Sequence, residues 1–211
     1  MSATHDAPTI ETQRVAPDYI AHWVVKSAQT EEMVRWYGTV FGAEIAYQDD
    51  EITFLTWDDE SHRLAIIAVP KPVKFLFPFA KLRRKAYGID HIALTFRSLE
   101  RLLENYVRLK RQGILPVWSI NHGPTISLYY EDPDGIRLEF QVENFDPDHT
   151  AAFFFTEEFA RNPIGVNIDP DYLLSRLRNG ATHEELRQRE AGTRPGRPVI
   201  ANKKTITPKT L

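Results

Sequence analysis

Two kinds of hydrophobic patterning succeed one another along this chain, and the succession occurs twice. A short strand-like run with histidine in its third position, IAHWVV at 20–25, is matched 69 residues later by IDHIAL at 89–94. A helical period follows each run. In the first, Met33, Trp36, Tyr37, Val40 and Phe41 fall on one face and Gly42 closes the pattern. In the second, Leu99, Leu102, Leu103 and Tyr106 do the same, with Ser98 as the N-cap and Gly113 as the stop. Three strand-like stretches come next in each copy, at 44–48, 52–57 and 62–69, then at 115–120, 126–131 and 136–142. The turn Asp132-Pro133-Asp134-Gly135 separates the last two, with Pro133 setting φ and Gly135 accepting a positive one.

The pattern predicts an α+β fold of two paired βαβββ modules. They belong to one domain over 18–143, with module one at 18–69, a crossover at 70–87 and module two at 88–143. Residues 1–17 read as an N-terminal tail. The crossover mixes proline, phenylalanine and six basic residues, and reads as a loop with a solvated rim. Residues 144–211 form a C-terminal extension. Its stretch PDYLLSRLRNGATHEELRQRE reads as helical, and the Pro-rich end from 192 reads as disordered.

Composition removes several classes of function. The net charge of −3 offers no electrostatic case for nucleic acid or an anionic membrane. No cysteine is present, so a thiolate nucleophile or thiolate metal site is excluded, and any metal must be held by His, Asp or Glu. No apolar run reaches the length of a membrane span, and a cytoplasmic location is the expectation.

Parity along the strands separates the chemistry from the core. Ile92, Leu94 and Phe96 oppose His91, Ala93 and Thr95, while Ile136, Leu138 and Phe140 oppose Arg137, Glu139 and Gln141. His22 occupies the place in the first copy that His91 holds in the second. Two histidines and one carboxylate are the donor set of a facial triad, which suits Fe(II), Mn(II) or Zn(II) and leaves positions open.

Paired βαβββ modules, a histidine opening each and a glutamate in the last strand resemble the vicinal oxygen chelate superfamily of glyoxalases, bleomycin- and fosfomycin-resistance proteins and type I extradiol dioxygenases. The resemblance covers about 18–143. It implies a half-open barrel around a metal held by His22, His91 and Glu139, with His91 beside Glu139 and facing His22. Glyoxalase-like members usually carry a fourth ligand in the last strand of the first module. Here that stretch, SHRLAIIAVP at 61–70, holds no acidic residue, although Glu60 precedes it. A three-ligand site resembles the extradiol branch more closely, and a chain with only two modules resembles its one-domain members. The same resemblance marks His62 as the acid–base histidine, and Tyr129, ten residues before Glu139, as the active-site tyrosine. His122 matches a further site histidine.

This implies ring cleavage of a catechol-type diol by O₂ at non-haem Fe(II), with Mn(II) as the other candidate. Trp23, Phe41 and KFLFPF (74–79) are candidates for apolar lining, although the first two fit the core better. A small aromatic diol and O₂ are the expected partners, and a homo-oligomer the expected assembly. Two other readings stay open: a non-oxidative metal-dependent isomerase, lyase or cyclase of the same fold, and a metal-free ligand-binding protein of the resistance type.

Overall fold

A computed structural model describes residue 17, residues 19–72 and residues 88–196 of the chain. The N-terminal tail apart from residue 17, most of the crossover including KFLFPF, and the end of the extension lie outside the described residues.

Module one runs β1 (Trp23–Ser27), α1 (Thr30–Phe41), β2 (Glu44–Gln48), β3 (Ile52–Thr56) and β4 (Leu64–Ala68). Module two repeats it as β5 (Ile92–Thr95), α2 (Leu99–Arg111), β6 (Trp118–Asn121), β7 (Thr125–Glu131) and β8 (Arg137–Glu143). The first sheet has the order β1-β4-β3-β2 and the second β5-β8-β7-β6-β9. In both, the first strand runs parallel to the last, and the remaining pairs are antiparallel. The sheets remain separate and do not close into a barrel. Both histidine-bearing runs start later than the pattern implied. His22 and His91 each stand one residue ahead of their strand, where the backbone is entering the ladder.

The helices pack as their periodicity requires. On α1, Met33, Tyr37 and Val40 are buried, and Gly42 ends the helix at φ 68°, a left-handed cap. On α2, Leu99, Leu102, Leu103, Tyr106 and Leu109 are all buried. Burial of each leucine side chain contributes about 2 kcal/mol. The Ser98 side chain caps α2 by accepting from the Arg101 N–H at 3.3 Å.

One core joins the modules. Phe41 stacks on Trp57 at 4.5 Å between ring centroids and meets Phe140 edge-on at 5.4 Å. Arg108 of α2 donates to the Thr39 and Val40 carbonyls at 2.5 and 2.6 Å, supplying the cation that the last turn of α1 lacks. The Asp-Pro-Asp-Gly turn is also a joint. Asp132 accepts from the N–H groups of Asp134 and Ile136, and from the Tyr37 hydroxyl of module one at 3.2 Å. Asp134 accepts from Gln29 at 2.6 Å.

The extension is more varied than a single helical stretch. It contains α3 (Pro147–Phe153), α4 (Glu157–Arg161), β9 (Val166–Asn167), α5 (Pro170–Arg178) and α6 (His183–Leu186). The predicted helix over 170–190 breaks at Asn179–Gly180, with Gly180 at φ 88°, and restarts at a Thr182–Glu185 capping box. β9 pairs with β6 and so enlarges the second sheet. Ile168, Leu173 and Leu186 join the core. Among the described residues no helix is long and apolar enough to cross a membrane.

Candidate functional site

The helix-free faces of the two sheets carry side chains in matching register. In module two, Ala93 pairs with Glu139, Glu139 with Tyr129, and Tyr129 with Trp118 across β5, β8, β7 and β6. In module one the corresponding ladder is Val24, Ala65, Phe54 and Tyr47 across β1, β4, β3 and β2. The position that matches Glu139 is therefore Ala65, which is 2% exposed. Glu60 lies ahead of β4 and outside this ladder.

The module-two face is a connected polar cluster. The parallel pairing of β5 with β8 sets His91 over Glu139, Nε2 to Oε2 at 2.8 Å. The other ring nitrogen, Nδ1, lies 2.9 Å from Asp90. Glu139 is 4% exposed. Burial by itself would push its carboxyl up, but the hydrogen bond from His91, with the Ser127 and Tyr129 hydroxyls nearby, outweighs this and holds it below its usual range. The hydrogen bond to Glu139 raises the His91 imidazole, partial burial opposes it, and Asp90 adds to the rise. Tyr129 is buried, stacked on Trp118 at 4.7 Å and edge-on to His91 at 5.3 Å. Desolvation, with the Glu139 charge adding to it, holds its phenol well above the ordinary value, so it works as a neutral O–H group. The Tyr129 hydroxyl is 3.0 Å from His122 Nε2. Burial lowers the His122 imidazole, while the backbone carbonyl of Ile164 on its Nδ1 acts the other way.

The module-one face is aromatic. His62 sits between Phe54, 4.6 Å away between ring centroids, and His22, at 4.4 Å. Arg63 holds the approach to His22, donating to the Ile20 and Ala21 carbonyls at 3.0 and 2.9 Å while pairing with Asp58.

The six sequence-predicted residues thus fall into two groups. His91, Glu139, Tyr129 and His122 meet on module two, and His22 meets His62 on module one. Among the described residues no group of three or more His, Asp or Glu side chains is gathered so as to hold a metal ion, and His22 stands outside the His91–Glu139 pair. The donor chemistry nevertheless fits a divalent first-row ion. His91 and Glu139 already converge on one point through a hydrogen bond that a cation would replace. Asp90 on the far nitrogen stands where a carboxylate orients the imidazole in metal sites.

Trp23 and Phe41 pack against the core, the role favoured for them over site lining. Sequence reasoning missed Asp90, Trp118, Ser127, Phe54 and the Ile164 carbonyl. Strand parity marks Ser127 and Phe54, but nothing local distinguishes them from ordinary strand residues. The Ile164 contact joins residues 42 apart in sequence and has no local signal.

A profile of the Glyoxalase/Bleomycin resistance protein/Dioxygenase superfamily matches residues 19–140. The chain is 39% identical over 161 residues to biphenyl-2,3-diol 1,2-dioxygenase 2 of Rhodococcus globerulus, covering 76% of this chain and 82% of that one. It is 34% identical over 171 residues to biphenyl-2,3-diol 1,2-dioxygenase 3 of the same organism, covering 81% and 87%. Among solved structures, a glyoxalase/bleomycin resistance protein/dioxygenase from Alicyclobacillus acidocaldarius aligns with TM-score 0.46 at 20% identity, over 63% of this chain and 96% of that one.

Proposed function

The chain belongs to the glyoxalase/bleomycin resistance protein/dioxygenase superfamily, and from that premise we propose that it is an extradiol dioxygenase acting on a biphenyl-2,3-diol-type catechol. The identity to two biphenyl-2,3-diol dioxygenases over most of both chains carries this reading. The site's chemistry agrees with it. Ala65 at the place matching Glu139 leaves a three-donor set, which favours open positions over a fourth protein ligand.

His22, His91 and Glu139 would hold the metal, for which Fe(II) is the first candidate and Mn(II) the second. When bound, the ion would supply a shared anchor for the diol and O₂ and a path for electrons between them. The chain's own groups account for the rest. Asp90 keeps the His91 ring oriented through Nδ1. Tyr129 and His122, hydrogen-bonded to each other, stand toward the diol oxygens and position the ring for attack. His62 is the acid–base group on the opposite face. Its ring is steadied by Phe54 and its Nδ1 lies 3.2 Å from the Ser61 hydroxyl, so it can take a proton from the diol and return it later. Outer strand β2 is exposed throughout, which supports the expectation of a homo-oligomer.

The test is reconstitution with Fe(II) under anaerobic conditions, followed by oxygen uptake on biphenyl-2,3-diol and simpler catechols. The expected result is uptake matched mole for mole by a yellow ring-opened product, and lost in His91→Ala. Tight metal binding with no uptake on any diol would sink the proposal.

A further inference from the structure

Residues 144–196 play no part in the proposed reaction, yet they hold one side of the site. Between α4 and β9, Asn162 brackets a tight turn. Its Oδ1 accepts from the N–H groups of Ile164 and Gly165 at 3.2 and 3.0 Å, and its Nδ2 donates to the Gly165 carbonyl at 2.9 Å. Gly165 has φ 117°, and a Cβ there would fall on the Asn121 carbonyl oxygen and lie 2.7 Å from His122 Cα. Only glycine allows so close an approach. The approach lays the Ile164 carbonyl against His122 Nδ1.

Arg189 ties the two sides together. Its side chain is 9% exposed. Nη2 donates to the His122 carbonyl at 2.5 Å and to the Asn162 carbonyl at 2.8 Å, and Nε lies 3.2 Å from the His122 carbonyl. Glu158 balances the charge at 3.3 Å.

This geometry has a chemical consequence. A carbonyl only accepts, so His122 Nδ1 carries the hydrogen. A neutral ring then has a bare Nε2, and that nitrogen faces the Tyr129 hydroxyl. Tyr129 has one hydroxyl hydrogen and two acceptors in reach, His122 and Glu139. We propose that Arg189 is a positioning residue. By clamping the 162–165 turn to His122, it selects the Nδ1–H tautomer and draws the Tyr129 hydrogen away from Glu139. The carboxylate is left to His91 and a cation, and the Tyr129 oxygen is left to accept from a substrate hydroxyl. The catalytic half of this inference rests on the dioxygenase reading, whereas the tautomer does not.

The test joins a spectroscopic readout to kinetics. Histidine ring nitrogens labelled with ¹⁵N are followed by long-range proton–nitrogen correlation in the metal-free and Zn(II)-loaded full-length protein. His122 is expected as Nδ1–H in the wild type. In Arg189→Met the Nε2–H form should appear, and in the Fe(II) protein kcat should fall roughly tenfold with KM within about twofold. Arg189→Lys should restore most of both. Asn162→Ala, which loosens the same turn with Arg189 intact, should repeat the tautomer change and serves if Arg189→Met does not fold. Folded variants that keep the Nδ1–H form, or that change tautomer with kcat unaltered, would overturn the inference. If no diol is cleaved, the tautomer readout still decides whether the clamp exists, so failure of the dioxygenase reading is separable.

Discussion

The two modules share one scaffold and divide the chemistry unequally. Strand for strand, His22 answers to His91, Val24 to Ala93, Ala65 to Glu139, Phe54 to Tyr129 and Tyr47 to Trp118. Module two places a carboxylate and a hydroxyl where module one places a methyl group and a phenyl ring. The surroundings follow the same division. The extension adds β9 against β6 and clamps His122, whereas β2, the counterpart of β6, is exposed along its length. At the second pair Phe54 is half-buried, while its counterpart Tyr129 is 2% exposed. The lesson is that a duplicated backbone can be specialised by single side chains at equivalent register. The half with the charged partners is the half that receives extra cover.

Exchange across the pseudo-equivalent positions tests this division most severely. Glu139→Gln should reduce ring cleavage by about a thousandfold or more, the loss expected when a ligand worth several kcal/mol is removed. Chelation of the metal should match it, and both are read by oxygen uptake. The double variant Ala65→Glu with Glu139→Gln should not recover activity, because Ala65 has Phe54 beside it where Glu139 has Tyr129. Recovery there would mean that the halves are interchangeable and the comparison wrong.

A smaller effect is expected at the joint between modules. Burial raises the Asp132 carboxyl to about 6. With its folded value above the unfolded one, the native state binds the extra proton. The associated stability is present below pH 3.8 and is lost as pH rises through about 6. Two units correspond to about 3 kcal/mol. Urea unfolding from pH 4 to pH 7 should therefore show the wild type losing about that much relative to Asp132→Asn. Parallel curves for the two proteins would remove the joint from the account.

Tyr129→Phe should lower kcat by about ten- to a hundredfold, as for loss of one buried hydroxyl worth 1–3 kcal/mol. Phe54→Tyr should change kcat less than about twofold, since module one has no carboxylate beside it. Comparable losses in both would show that the aromatic half takes part in the chemistry. The smallest effect is structural. Ser98→Ala should cost about 1 kcal/mol in thermal or urea unfolding through loss of the α2 cap. No equal loss through capping is expected at Gln29, whose side chain docks on Asp134 and makes no cap bond.

Much of this was legible in the chain. Helix faces such as Met33, Tyr37 and Val40, and the leucines of α2, repeat at the helical period, and burial followed the period. The adjacency of His91 and Glu139 was also expected, since parity put both on the polar faces and the family resemblance implied that their strands are neighbours, as they are. The extension was far less legible. β9 has two residues, too few to show a period, and α3 and α4 are short helices with no buried stripe.

The sequence by itself determined the duplicated module, the faces that become core and the residue types able to hold a metal, because these depend on periodicity and side-chain chemistry along a continuous stretch. Tertiary structure alone decided which of those residues meet. It paired His22 with His62, left Ala65 opposite Phe54, and brought Ile164 and Arg189 onto His122. The histidine contacts among these join residues dozens of positions apart. Their geometry is set by strand register and by the close approach of two backbones at Gly165, and local pattern carries no record of either.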